Sequence, residues 1–155
     1  MTYNSPLNFV HKIGKFGDHE KKNENDLLKV SEVSGLSIFQ IAQYRNSSFE
    51  ISKIRLDGLS FPSSLSTTSN SNTRILWLGP NNWLVFSSDL DLIKKEKDMF
   101  DEMDFAITNI SHSRTIIELE GSLVKEVLKK GCPLDINSFK EGECANSVYN
   151  GINIT

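Results

Sequence analysis

The chain has 155 residues, enough to bury one hydrophobic core, and its 38% hydrophobic and 24% charged shares are those of an ordinary globular domain. A net charge of −3 and a pI near 5.6, with lysines dispersed among acids, exclude an electrostatic nucleic-acid binder. No apolar run exceeds four residues, too short for a membrane span, and the first 26 residues lack the apolar core of a secretory signal.

Residues 1–26 are polar, with Leu7, Phe9, Val10, Ile13 and Phe16 scattered among charges, and are expected to form a tail that orders only against a partner. The folded domain is expected over 27–155. LLKVSEV (27–33) and LSIFQIAQY (36–44) read as two strands separated by Ser34-Gly35. Residues 47–58 read as a short helix capped by Ser47-Ser48, with Phe49, Ile51, Ile54 and Leu56 toward one face and Gly58 as its stop. SSLSTTSNSNT (63–73) is a Ser/Thr/Asn loop expected to be exposed, either within one domain or joining two subdomains. RILWL (74–78) and WLVFS (83–87) flank Gly79-Pro80-Asn81-Asn82 and predict a hairpin. Residues 89–103 predict a helix begun by Asp89, with Leu90, Ile93, Met99, Phe100 and Met103 as a partial apolar stripe. FAITNIS (105–111) predicts another strand, turned back by Ser111-His112-Ser113.

The clearest local signals fall in 114–136, RTIIELEGSLVKEVLKKGCPLDI. A strand is broken by Gly121-Ser122, where Ser122 is expected to cap a helix. Leu123, Val124, Val127 and Leu128 share one helical face, and Lys129 and Lys130 suit the negative end of the helix dipole. Gly131 is expected at the left-handed position after the helix, and Pro133 forbids its continuation. Because these signals agree, this stretch is expected to organise the core. The last run, 144–155, carries Asn150-Gly151 and begins a hairpin. The pattern predicts an α+β fold, with a mainly antiparallel sheet and short helices.

Chemistry is sparse. No dinucleotide or phosphate loop, zincin motif or nucleophile elbow is present. His11 and His19 lie in the polar tail, and His112 in Ser-His-Ser-Arg is the better general-base candidate, set against an ordinary turn histidine. Two cysteines, Cys132 and Cys144, are too few for a disulfide framework and lack the spacing of a zinc site, so two reduced thiols in a cytoplasmic protein are expected. Cys132 follows a helix C-terminus, the wrong end of the dipole for activating a thiol. Asp104 and Asp135 are single carboxylates suited to turns or caps. Trp77 and Trp83 would either stack on a flat ligand or pack in the core. No catalytic set and no metal site are expected.

Three runs in order, LGPNNWL (78–84), ISHSRT (110–115) and VLKKGCPLD (127–135), are followed by Phe139, Gly142, Cys144 and Ala145. Over about 30–146 this pattern resembles the gamma subunit of heterotetrameric sarcosine oxidase. The segment between is similar to the folate-binding domain of the glycine cleavage T protein and TrmE-like relatives. The resemblance implies a non-catalytic subunit of a complex that oxidatively demethylates sarcosine to glycine. That complex makes hydrogen peroxide and passes the one-carbon unit to tetrahydrofolate. It further implies alpha, beta and delta partner subunits that hold FAD, FMN, NAD and tetrahydrofolate, with no cofactor on this chain and no nucleic-acid or membrane partner. The alternative is a stand-alone folate-binding, aminomethyltransferase-like module, in which Trp77, Trp83, His112 and Arg114 would line a cleft and Arg114 would meet the glutamate tail of folate. Family members usually run on through another strand and a closing helix, so either a truncated chain or a closing element lent by a partner is expected. Family members also often carry an acid where Asn109 stands, which would weaken here any binding that acid serves.

Overall fold

The computed structural model describes residues 6–7, 13–16 and 27–155. The chain divides into two units, one built from 35–111 with 141–145, the other from the described parts of 1–34 with 112–140 and 146–155.

In the first unit, short runs rich in β-branched and aromatic residues build β3 (Ser37–Gln43), β7 (Thr73–Gly79), β8 (Asn82–Ser87) and β9 (Phe105–Asn109). With the short β6 (Thr67–Ser69) they form an antiparallel sheet in the order β6-β7-β8-β3-β9. Register stacks matching rungs on one face: Trp77–Trp83–Ile41–Ile107, then Ile75–Val85–Phe39, then Thr73–Ser87–Ser37. Ile41, Ile75 and Val85 are fully buried, and Ile54, Leu56, Leu92, Phe100 and Phe105 close over them. Phe61 meets Trp83 edge to face at 5.1 Å, and Phe100 meets Phe105 at 5.5 Å. Each such pair is worth about 0.5–1.5 kcal/mol beyond its buried area. The third rung is polar but satisfied: Thr73 Oγ1 and Ser87 Oγ share a hydrogen bond at 2.9 Å, and Ser37 Oγ donates to Ser87 O at 3.2 Å.

The hairpin expected around 79–82 forms, with Asn81 in the left-handed region (φ 56°) and a register shift between Trp77 and Gly79. Three expectations for this unit are corrected. Residues 47–58 are not a helix: a 3-10 turn at Ile51–Lys53 leads into a hairpin of β4 (Arg55–Leu56) and β5 (Leu59–Ser60). Asp57 (φ 51°) and Gly58 (φ 74°) are its mirror-image turn. Residues 89–103 hold only α1 (Leu92–Lys95) and a 3-10 turn at Lys97–Met99. Leu90 and Met103 are 66% and 81% exposed, so the supposed apolar stripe never became one face. The loop of 63–73 contains β6, and Thr73 is buried within the sheet.

In the second unit, β2 (Leu28–Val33) lies between β1 (Gly14–Phe16) and β10 (Ile116–Glu120), all antiparallel. Residues 14–16 thus form a strand inside the expected tail; most of that tail, His11 and His19 included, lies outside the described residues. α2 (Val124–Lys129) shows the expected two faces, with Leu123, Val124, Val127 and Leu128 half-buried and Lys125, Glu126, Lys129 and Lys130 exposed. A hairpin of β11 (Ser147–Tyr149) and β12 (Ile152–Ile154) turns at Asn150-Gly151, as expected.

The stretch 114–136 departs from expectation in three respects. Ser122 does not cap α2; the N-cap position is Leu123, with no side-chain bond. Gly131 is not left-handed. Its missing side chain makes room for Tyr149, whose ring would lie 2.8 Å from an added Cβ. Nor does the stretch organise the core: none of its residues belongs to the buried cluster, and Cys132 alone among them is buried. The leucines and valines of a short, isolated helical face bury only part of their surface, whereas those of a central strand are covered by strands on both sides and by a layer above. Among the described residues, no helix is long and apolar enough to cross a membrane.

Candidate functional site

Trp77 and Trp83, adjacent on neighbouring strands, differ in use. Trp83 is 4% exposed, and its indole N–H donates to Pro62 O at 3.1 Å, so its polar handle is committed within the core. Trp77 packs half-buried against the same cluster. His112 and Arg114 belong to the other unit, where both are exposed.

The turn after β9 is organised by Asn109. Asn109 Oδ1 accepts from Ser111 N–H at 3.0 Å and from Ser111 O–H at 2.8 Å. Ser111 Oγ is buried and accepts from Ile38 N–H at 2.8 Å. The signal for this lay in the spacing, since an Asn or Asp two residues before a serine favours an Asx-type turn. An aspartate here would accept the same two bonds.

Both thiols are packed. Cys132 Sγ lies 3.3 Å from Ser147 Oγ, and Cys144 Sγ donates to Ser66 O at 3.3 Å, with Trp77 O at 3.4 Å. Burial pushes the Cys144 thiol above its ordinary pKa, opposite to what a nucleophile needs. Asp135 caps the 3-10 turn at Ile136–Ser138, its Oδ1 accepting from Asn137 N–H at 3.1 Å. Among the described residues, no three His, Cys, Asp or Glu side chains converge as a metal site, and no buried side-chain nitrogen or oxygen lacks a hydrogen-bond partner.

On the sheet face opposite the aromatic core, Thr67 and Leu76 pair across β6 and β7, as do Ser69 and Arg74. With Glu141, Gly142 and Glu143 they line a groove of about 340 Å³.

The fold is similar to that of a solved heterotetrameric sarcosine oxidase from Corynebacterium sp. U-96, in complex with pyrrole 2-carboxylate. The TM-score is 0.74 at 20% identity, covering 83% of this chain and 69% of the matched one. A curated sarcosine oxidase subunit gamma from Corynebacterium sp. (strain U-96) is 29% identical over 73 residues, which are 46% of this chain and 36% of that protein. The chain thus aligns with about a third of that relative's length. A family profile described as sarcosine oxidase, gamma subunit family matches residues 44–153, taking in the tryptophan hairpin, the Asn109–Ser111 turn and the Gly131–Asp135 run, and the chain therefore belongs to that family.

Proposed function

We propose that the chain serves as the gamma subunit of a heterotetrameric sarcosine oxidase and contributes structure rather than chemistry. The family match over residues 44–153 carries this reading. The side chains support it: Ser87, Ser111 and Trp83, each a plausible reactive or stacking group in isolation, are consumed by structural hydrogen bonds, and Cys144 is a buried thiol whose pKa burial raises. On this proposal, alpha, beta and delta subunits hold FAD, FMN, NAD and tetrahydrofolate, and the assembly demethylates sarcosine to glycine with formation of peroxide and a tetrahydrofolate-bound one-carbon unit. The domain belongs with the folate-binding domains of the glycine cleavage T protein type in fold, having kept the scaffold without the chemistry.

The stand-alone folate module gains less support. Trp83 is committed to the core, leaving Trp77, His112 and Arg114 as its residues. Affinity capture of tagged chain from its own host tests the proposal. Yellow, flavin-absorbing larger subunits are expected in the eluate, and a colourless preparation of this chain alone would end the proposal.

A further inference from the structure

The two edges of the five-stranded sheet are finished differently. At β6 the segment 141–145 returns alongside: Thr67 N–H donates to Gly142 O at 2.8 Å, Cys144 N–H donates to Leu65 O at 3.0 Å, and Ser66 forms a β-bridge with Glu143. Beside β9, among the described residues, no strand follows. Register decides which of its backbone groups are left over. Tyr44 N–H donates to Asp104 O at 2.8 Å and Ile110 N–H donates to Ile38 O at 2.9 Å, so the even-numbered residues from 104 to 110 turn their backbone groups toward β3. The odd-numbered ones turn theirs outward. Phe105 N–H is taken by Asp101 O at 2.9 Å, but the N–H and C=O of Ile107 and of Asn109 have no partner among the described residues.

Free edges recruit other chains, and are ordinarily blunted by a lysine, a proline or a bulge. The run FAITN has none of these, and its pairing with β3 shows no register shift. The side chains beside the edge suit a further strand. Ile107 ends the rung Trp77–Trp83–Ile41–Ile107 half-exposed, so a neighbour there would carry an apolar residue. Exposed Phe49 meets Phe105 edge to face at 5.7 Å, and on the other face Ala106 and Thr108 are small. At the start of the edge, the Asp104 carboxylate has no ion pair among the described residues. A second copy of the chain, paired antiparallel about Ile107, would set Asn109 against Phe105 and Asp104 against Ile110, which complements neither polar side chain.

We propose that the free edge of β9 accepts a strand from a partner subunit: an extended, proline-free segment with an apolar side chain beside Ile107 and a basic one near Asp104. The inference rests on the subunit reading and adds the docking element. The test is amide exchange, resolved to single residues by mass spectrometry, on the isolated chain and on the assembly captured with it. Ile107 and Asn109 amides should exchange fast in the chain alone and on the order of 100-fold more slowly in the assembly, while Ala106 and Thr108, bonded to β3, are protected in both. Thr108→Lys, with an unchanged circular dichroism spectrum, should lower capture of the partner at least about tenfold, and Ser69→Lys on β6 should leave it unchanged. Capture with Ile107 and Asn109 still fast, Ile107 already slow in the isolated chain, or a folded Thr108→Lys that captures normally overturns the inference alone. A dimer of the isolated chain that Thr108→Lys abolishes overturns it in favour of a second copy. Failure to capture any flavin-bearing partner overturns the subunit reading and this inference with it.

Discussion

Replacing Ile41 by alanine removes three carbons from the middle of the central strand β3, at a site with 0% exposure between Trp83 and Ile107. At about 0.8 kcal/mol per buried carbon the transfer loss is about 2.4 kcal/mol, and the cavity left among rigid strands raises the cost to about 3–4 kcal/mol. The matching change on the helix 114–136 was expected to supply to the core is Val127→Ala. Two half-buried methyl groups are lost there, about 0.8 kcal/mol, and alanine's helix propensity returns up to about 0.7 kcal/mol, so the net cost is within about 0.5 kcal/mol. Urea unfolding followed by tryptophan fluorescence reports the unit containing both Trp77 and Trp83, and far-UV circular dichroism reports both units. Ile41→Ala should lower the urea midpoint by about 1–2 M, whereas Val127→Ala should leave both transitions nearly in place. If Val127→Ala moved its transition as far as Ile41→Ala moves the other, the reasoning that puts the core in the five-stranded sheet would be refuted.

Gly121→Ala should destabilise the β1-β2-β10 unit by at least about 2 kcal/mol, because φ is 120° and an added Cβ would run into the Leu27 carbonyl oxygen; chemical denaturation followed by circular dichroism reads it. Asn109→Ala should cost about 1 kcal/mol by orphaning Ser111 N–H and leaving its O–H only the longer bond to Ile38 O at 3.3 Å, whereas Asn109→Asp should be close to neutral; equal losses in melting experiments would contradict the turn geometry. The hydrogen bond from Lys95 holds the Asp89 carboxyl below its ordinary pKa. A folded-state pKa depressed in this way contributes stability above the unfolded carboxyl value and loses it as pH falls through the folded one. An NMR titration of Asp89 should therefore show a lowered midpoint that rises in Lys95→Gln, and an unchanged midpoint would contradict the pair.

Where a single local rule decides the outcome, the sequence was enough. Four turn residues between two apolar runs made β7 and β8, Asn150-Gly151 made the last hairpin, and the spacing of Leu123, Val124, Val127 and Leu128 marked the inward face of α2. The errors came where two rules competed. Asp57-Gly58 signals a two-residue hairpin, and the helical reading of 47–58 treated that glycine as a stop. Along 89–103, Asp98 and Asp101 favour turns over helix interior. Asp101 Oδ1 accepts from Met103 N–H at 2.8 Å, turning the chain into β9. Core packing was legible for Trp77 and Trp83 but not the location of the core as a whole, because agreement among local signals measures how well an element forms, while burial depends on pairings between residues as distant as Ile41 and Trp83. The groove shared by Arg74 and Glu141 was hidden for the same reason, since only the pairing of β6 with β7 and the return of 141–145 bring them to one place.

Sarcosine-dependent peroxide release, measured side by side on the isolated chain and on the assembly captured with it, tests the assignment most directly. The account predicts no turnover by the chain alone and turnover by an assembly that retains this chain in stoichiometric amount. Turnover by the chain alone, or a fully active assembly from which it is absent, would contradict a gamma subunit that supports the complex without performing its chemistry.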